Sequence, residues 1–176
     1  MGKRNENRFG PGKGDIMNIS LSQRTEESVR IFFIESRKGK ILENLPQKVQ
    51  TMEEAVEDYR SALRPEASGY GRIILVDGEY IGDVWCYCMD KKKSPGAMLG
   101  FCIFNEACWS KGIATQAVMM FLNEVRKKFG IQSFGAFVYA DHPASNRVLE
   151  KNGFRFMDEF NDEERQTWYY QRRFHG

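Results

Sequence analysis

The chain has 176 residues, with 26 Lys plus Arg against 24 Asp plus Glu, a net charge of +2. That length suits one domain around one core, and 41% apolar with 13% aromatic residues argues against a disordered chain. The near-neutral charge predicts no nucleic-acid or membrane partner, and the longest apolar runs, six residues as in Val84 to Met89, fall far short of the roughly 20 a membrane span needs.

Residues 1–16 are polar and glycine-rich and read as a flexible leader, with no apolar stretch of the signal-peptide kind. The domain is expected over 17–176. Asn18 to Ser22 alternates, with Ile19 and Leu21 on one face, and predicts a first strand. Thr25, Glu26 and Glu27 open a helix carrying Val29, Phe32 and Phe33. Gly39 to Gln50 has no clear period and reads either as a substrate-side loop or as a further helix. Thr51 with Glu54 is a capping box, and its helix runs towards Leu63 with Ala55, Val56 and Tyr59 on one side.

A β meander follows. Tyr70 to Val76 is a strand, Asp77-Gly78 a hairpin turn, and Glu79 to Met89 the partner strand. After the turn Lys91 to Gly96, the strand Ala97 to Phe104 is apolar on both faces apart from Gly100, which implies layers on both sides and an α/β sandwich. The strongest helix is Gly112 to Phe129, with Ile113, Ala117, Met120, Phe121 and Val125 as its apolar stripe and Gly130 beyond its end. Ser133 to Ala140 is a strand. Ala144 to Asn152 is a short helix with Val148 and Leu149 buried. Phe154 to Phe160 and Thr167 to Phe174 are closing strands around a polar turn, Asn161 to Arg165.

The cysteines, Cys86, Cys88, Cys102 and Cys108, form no C-x-x-C pair and have no histidine nearby in sequence. They read as free, buried thiols with no metal, Cys86 and Cys88 on one strand face. Free thiols and no signal sequence predict a cytoplasmic protein.

The stretch Asn105 to Thr115 (N-E-A-C-W-S-K-G-I-A-T) takes the chain from a strand end into a helix through small residues. The free N–H groups of a first helical turn hold anionic oxygens, and Gly112 and Ala114 keep side chains out of the way. Lys111 adds charge; Ser110 and Thr115 add hydroxyls. The pattern is a phosphate cradle, though neither a Walker loop nor G-x-G-x-x-G.

W-S-K-G-I-A-T-Q-A, followed about 30 residues later by H-P-A-S-N-R-V-L-E-K-N-G-F, resembles the GNAT superfamily of acyl-CoA-dependent N-acetyltransferases. Within it the pattern is similar to the group of ribosomal-protein N-terminal acetyltransferases and aminoglycoside acetyltransferases. The resemblance implies an α/β fold: a mixed, mostly antiparallel twisted sheet of about six or seven strands with helices on both faces. It implies acetyl-CoA as co-substrate, no metal, and direct acetyl transfer to a primary amine in a ternary complex. The family's Q/R-x-x-G-x-G/A loop falls on Trp109 to Ala114, with Trp109 in place of Arg or Gln. The resemblance thus assigns CoA binding to Trp109, Ser110, Lys111, Gly112, Ile113, Ala114 and Thr115, and the pantetheine arm to Ile103 and Phe104. His142 stands where the family usually has Asn, another pantetheine contact. Ser145 matches a proton donor to the departing thiolate and adjoins the cofactor, whereas the Tyr used by other branches falls at Leu149.

Each residue also has a plainer reading. Trp109 packs on the sheet or touches ligand; Ser145 caps a helix or donates a proton; His142 is exposed in a loop or touches ligand. Tyr139 is a core residue or a general acid, and Glu106 a solvated carboxylate or a base acting through water. A backbone N–H near Phe104 is a candidate oxyanion donor, and Cys102 and Cys108, flanking the strand end, a minor candidate nucleophile. Acceptor choice is expected over Arg24 to Arg64, where the basic run Arg37 to Lys40 disfavours a polycation if it lines the site. Trp168, Tyr169 and Tyr170 either extend an edge into a homodimer or finish the monomer's own sheet. The competing class is a CoA-binding regulatory or interaction module without turnover.

Overall fold

The computed structural model describes residues 16–161 and 165–175. The leader, apart from residue 16, and the middle of the turn expected over Asn161–Arg165 lie outside the described residues.

Seven strands form one sheet in the order β1-β2-β3-β4-β5-β7-β6. β1 (Ile19–Gln23), β2 (Tyr70–Val76), β3 (Glu79–Asp90) and β4 (Gly96–Ile103) run as an antiparallel meander. β4 is parallel to β5 (Ser133–Tyr139), and β7 (Gln166–Arg173) lies antiparallel between β5 and β6 (Arg155–Asn161). The sheet is mixed and mostly antiparallel, as expected. Trp168, Tyr169 and Tyr170 lie in β7, which has a partner on either side, so they complete the chain's own sheet. The edge strands are β1 and β6.

Local chemistry explains the elements. α1 (Glu26–Glu35) and α3 (Met52–Ala62) each begin in a capping box: Thr25 with Ser28, and Thr51 with Glu54. The patternless stretch 39–50 resolves into a short helix, α2 (Gly39–Asn44), and a loop. Asp77 and Gly78 both take positive φ, 51° and 83°, the geometry of a type I′ hairpin turn.

α4 (Ile113–Phe129) covers one sheet face. Ile113, Ala117, Val118, Phe121, Leu122 and Val125 are its buried residues, so the expected stripe is widened by Val118 and Leu122, while Met120 is only half-buried. A helix against a sheet presents a wider apolar face than a 3.6-residue stripe. α5 (Pro143–Lys151) packs beside α4 and buries Leu149, whereas Val148 is half-buried. α1 covers the other face, with Phe32 edge-on to Trp85 at 5.8 Å between ring centroids.

The placement of the cysteines departs from expectation: Cys86 and Cys102 are buried, but Cys108 is only half-buried and Cys88 is exposed. Cys88 has φ +49° in a bulge of β3, which turns it outward while Cys86 stays buried. The two therefore do not share a face.

Candidate active site

β4 and β5 are paired only from Gly96 to Met98 and from Ser133 to Gly135. Beyond that, each strand remains bonded to its outer neighbour: β4 to β3 as far as Ile103, and β5 to β7 as far as Tyr139. The two strands diverge, and the facing backbone edges are open. Such an opening offers unpaired amides and carbonyls to an extended ligand in the manner of a missing strand.

Below the opening lies a cavity of about 1070 Å³, bounded by α1, α3, the loop after α2 and the strands β2 to β5. Tyr139, His142 and Ser145 line it; Ile103, Phe104, Glu106 and Trp109 to Thr115 do not. Glu106 sits in a 3-10 turn, exposed, with its carboxylate directed to Gly39 at the start of α2. The structure does not bring it to the cavity.

The cradle expected at the start of α4 has the following form. Ser110 and Gly112 are in the left-handed region, with φ of 59° and 76°. The first intrahelical bond runs from the Gln116 N–H to the Gly112 carbonyl at 3.1 Å, and no side chain caps the helix. The N–H groups of Ile113, Ala114 and Thr115 thus have no partner among the described residues. A Cβ on Gly112 would meet nothing within 4 Å, and Lys111 is exposed beside it. Open N–H groups, a helix N-terminus and a cation suit a phosphate group.

Trp109 does not simply pack on the sheet. Its indole N–H donates to the Ile103 carbonyl at 2.8 Å, pinning the cradle loop to the end of β4. That carbonyl is therefore engaged. The Phe104 N–H is engaged as well, donating to the Ile81 carbonyl at 3.0 Å. Backbone left for a ligand lies earlier along β4, between the end of its pairing with β5 at Met98 and Ile103.

On α5, Ser145 Oγ lies 2.7 Å from Nδ1 of His142. Both residues are half-buried. Burial, reinforced by the Arg165 guanidinium and opposed by Asp141, holds the His142 imidazole below its ordinary pKa, so it is neutral at pH 7. Arg165 lies 3.9 Å over the Tyr139 ring, pairs with Asp141 at 2.6 Å, and donates to the Glu43 carbonyl at 2.6 Å. It clasps α2 to the cavity rim. At the other end of α5, buried Asn152 donates to the Thr115 carbonyl at 3.1 Å. Asn152 caps α5 seven positions after Ser145, about 10 Å along the axis at 1.5 Å per residue, so α5 links the couple to the first turn of α4.

Sequence reasoning missed Asn152 and the cavity floor. Asp83, 1% exposed, pairs with Arg24 Nε at 2.8 Å and accepts from the Tyr80 hydroxyl at 2.5 Å. Burial pushes its carboxyl up, against the pull of Arg24 and Tyr80. Asp83 is the lone charge between Tyr80 and Met89, and that was the available signal. At the strand end, burial pushes the Cys102 thiol up to about 12 and raises Cys108, which disfavours the thiolate that a nucleophile needs.

The acetyltransferase (GNAT) domain family matches residues 19–155. No curated protein matches the chain in sequence. Solved structures with a similar fold include an aminoglycoside acetyltransferase AAC(6')-Ib in complex with coenzyme A, at TM-score 0.73 and 16% identity, covering 89% of this chain and 95% of that one. The ribosomal L7/L12 alpha-N-protein acetyltransferase RimL in complex with coenzyme A gives TM-score 0.75 and 20% identity over 89% and 94%. An acetyltransferase from Salmonella typhimurium that modifies the N-terminal serine of ribosomal protein L7/L12 gives 0.75 and 18% over 89% and 95%. No described helix is long and apolar enough to cross a membrane.

Proposed function

The chain belongs to the GNAT acetyltransferase family, and from that premise we propose that it acetylates a primary amine by direct attack in a ternary complex with acetyl-CoA. The observation that carries the reading is the parting of β4 from β5 after Met98 and Gly135, directly above the cavity. The backbone N–H groups at the start of α4, with Ser110, Lys111 and Thr115, hold the pyrophosphate. The open edge of β4 between Met98 and Ile103 lines the pantetheine arm. Acetyl-CoA supplies the activated acyl group, and coenzyme A leaves as the free thiol.

An amine of pKa about 8 to 10.4 must lose a proton before it attacks, and the leaving sulfur must gain one. Ser145 is the donor to sulfur. His142, neutral and 2.7 Å from Ser145, replaces the hydroxyl proton from Nδ1 as its Nε2 takes up the proton released by the amine. The couple carries one proton from amine to sulfur and ends neutral. Tyr139, on the cavity wall, orients the acceptor. Positioning by these fixed groups is the main source of rate.

The test is thiol release from acetyl-CoA in the presence of an amine panel, with acetylated product identified by mass. Thiol release that depends on amine and yields the acetylamine is the predicted result. Acetyl-CoA binding without product from any amine would favour the module without turnover.

A further inference from the structure

We infer that the acceptor amine carries an anionic group, a carboxylate or phosphate, close to the amino group; this rests on the amine-acetylation reading above. The charged side chains of the cavity wall decide it. Besides His142, seven are basic and only two, Asp58 and Asp83, are acidic. Asp83 is sealed beneath the surface, paired with Arg24 and hydrogen-bonded by Tyr80. Asp58 is exposed on α3. The wall therefore holds no free buried carboxylate for a second ammonium group.

The cations between α1, α3 and the sheet differ in what they have left to offer. Arg37 lies 3.5 Å over the Phe33 ring and donates to the carbonyls of Phe33 and Val49, so it contributes charge but few donors. Arg24 lies against Asp83 with Nε at 2.8 Å, and its two terminal nitrogens make no hydrogen bond among the described residues. It lies flat over Gly71, where a Cβ would collide with the guanidinium. Lys48 is exposed, with Nζ 4.0 Å over the Tyr87 ring and no ion pair among the described residues. Of the remaining basic lining, Arg72 is paired with Glu124 at 2.6 Å and Lys91 donates to the Pro65 and Ala67 carbonyls, so Arg24 and Lys48 are the cations with most to offer. A guanidinium with two spare donors and an unpaired ammonium, set among aromatic faces, bind carboxylate or phosphate and repel a polycation.

Two sources supply such an amine: a peptide whose first residues are acidic, and a small amino acid or aminoalkyl phosphate. The experiment compares kcat/KM for the peptides Ser-Glu-Glu-Gly and Ser-Lys-Lys-Gly, for phosphoethanolamine and ethanolamine, and for kanamycin. The acidic member of at least one pair is expected to exceed its basic or neutral counterpart by tenfold or more, and the pair that shows it identifies the source. Lys48→Glu is expected to narrow that ratio by about tenfold, with acetyl-CoA still raising the melting temperature as a check on folding. Equal or greater rates with the basic and neutral members overturn the inference and leave acetyl transfer standing. No acetylation of any member, with acetyl-CoA still bound, overturns the transferase reading and the inference with it.

Discussion

The indole N–H of Trp109 donates to the carbonyl of Ile103 at 2.8 Å, across the point where β4 ends and the loop to α4 begins. One hydrogen bond thus couples the open strand edge to the helix N-terminus. Trp109→Phe keeps the ring and removes the donor. A hydrogen bond of this kind contributes about 1 kcal/mol, so KM for acetyl-CoA should rise about fivefold in steady-state assays. An unchanged KM would show that the loop holds its position without the bond.

Gly112→Ala tests the cradle itself. The new Cβ meets no protein atom within 4 Å, so its structural cost comes only from holding φ at +76°, about 1–2 kcal/mol. Its effect on ligand is separate, because a methyl group would stand beside the open N–H groups. The melting temperature should fall by a few degrees, and the further rise on adding acetyl-CoA should shrink by more than half. A full rise would place the phosphates elsewhere.

Ser145→Ala removes the group assigned to protonate sulfur. kcat should fall about 10²-fold with KM for acetyl-CoA changed little. His142→Asn preserves a hydrogen bond to Ser145 but carries no proton through the ring. It should lower kcat and alter the acid limb of the pH–rate profile. The double variant should be no slower than Ser145→Ala, because the two act as one unit. Additive losses would mean that His142 acts independently.

His142 also predicts how stability depends on pH. Its pKa is lowered in the folded chain by burial and by Arg165, so the unfolded chain binds more protons as pH falls through the ordinary histidine value near 6.5. Stability should therefore decline as pH is lowered from about 7 towards 5. Denaturant midpoints measured over that range should fall more steeply for the wild type than for His142→Asn. Parallel slopes would count against a desolvated imidazole.

The fold was largely legible because its signals are local. The capping boxes at Thr25 and Thr51, the Asp77-Gly78 turn and the apolar stripe of α4 each declare an element without help from the rest of the chain. The open helix start at Gly112 was legible for the same reason, whereas the role proposed for Ser145 comes from the family resemblance. What was not legible depends on pairing at a distance. The bulge that turns Cys88 outward, the packing of Arg24 over Gly71 and the sealing of Asp83 all arise where separate strands meet. Glu106 was attractive because it follows a strand end, yet the turn after β4 carries it towards Gly39 and away from the cavity. The His142–Ser145 couple lay within reach of spacing alone, because residues three apart on a helix start face one another.

The most direct measurement is the melting temperature of the wild-type protein with and without acetyl-CoA at about 100 times Kd. Binding confined to the folded state then adds about 2.7 kcal/mol, which for a chain of this size is a rise of about 5–10 °C. A rise of that order, reduced in Gly112→Ala, is the predicted result. No rise in a folded wild-type sample, up to millimolar acetyl-CoA, would contradict the assignment of the β4–β5 opening and the start of α4 as the acetyl-CoA site.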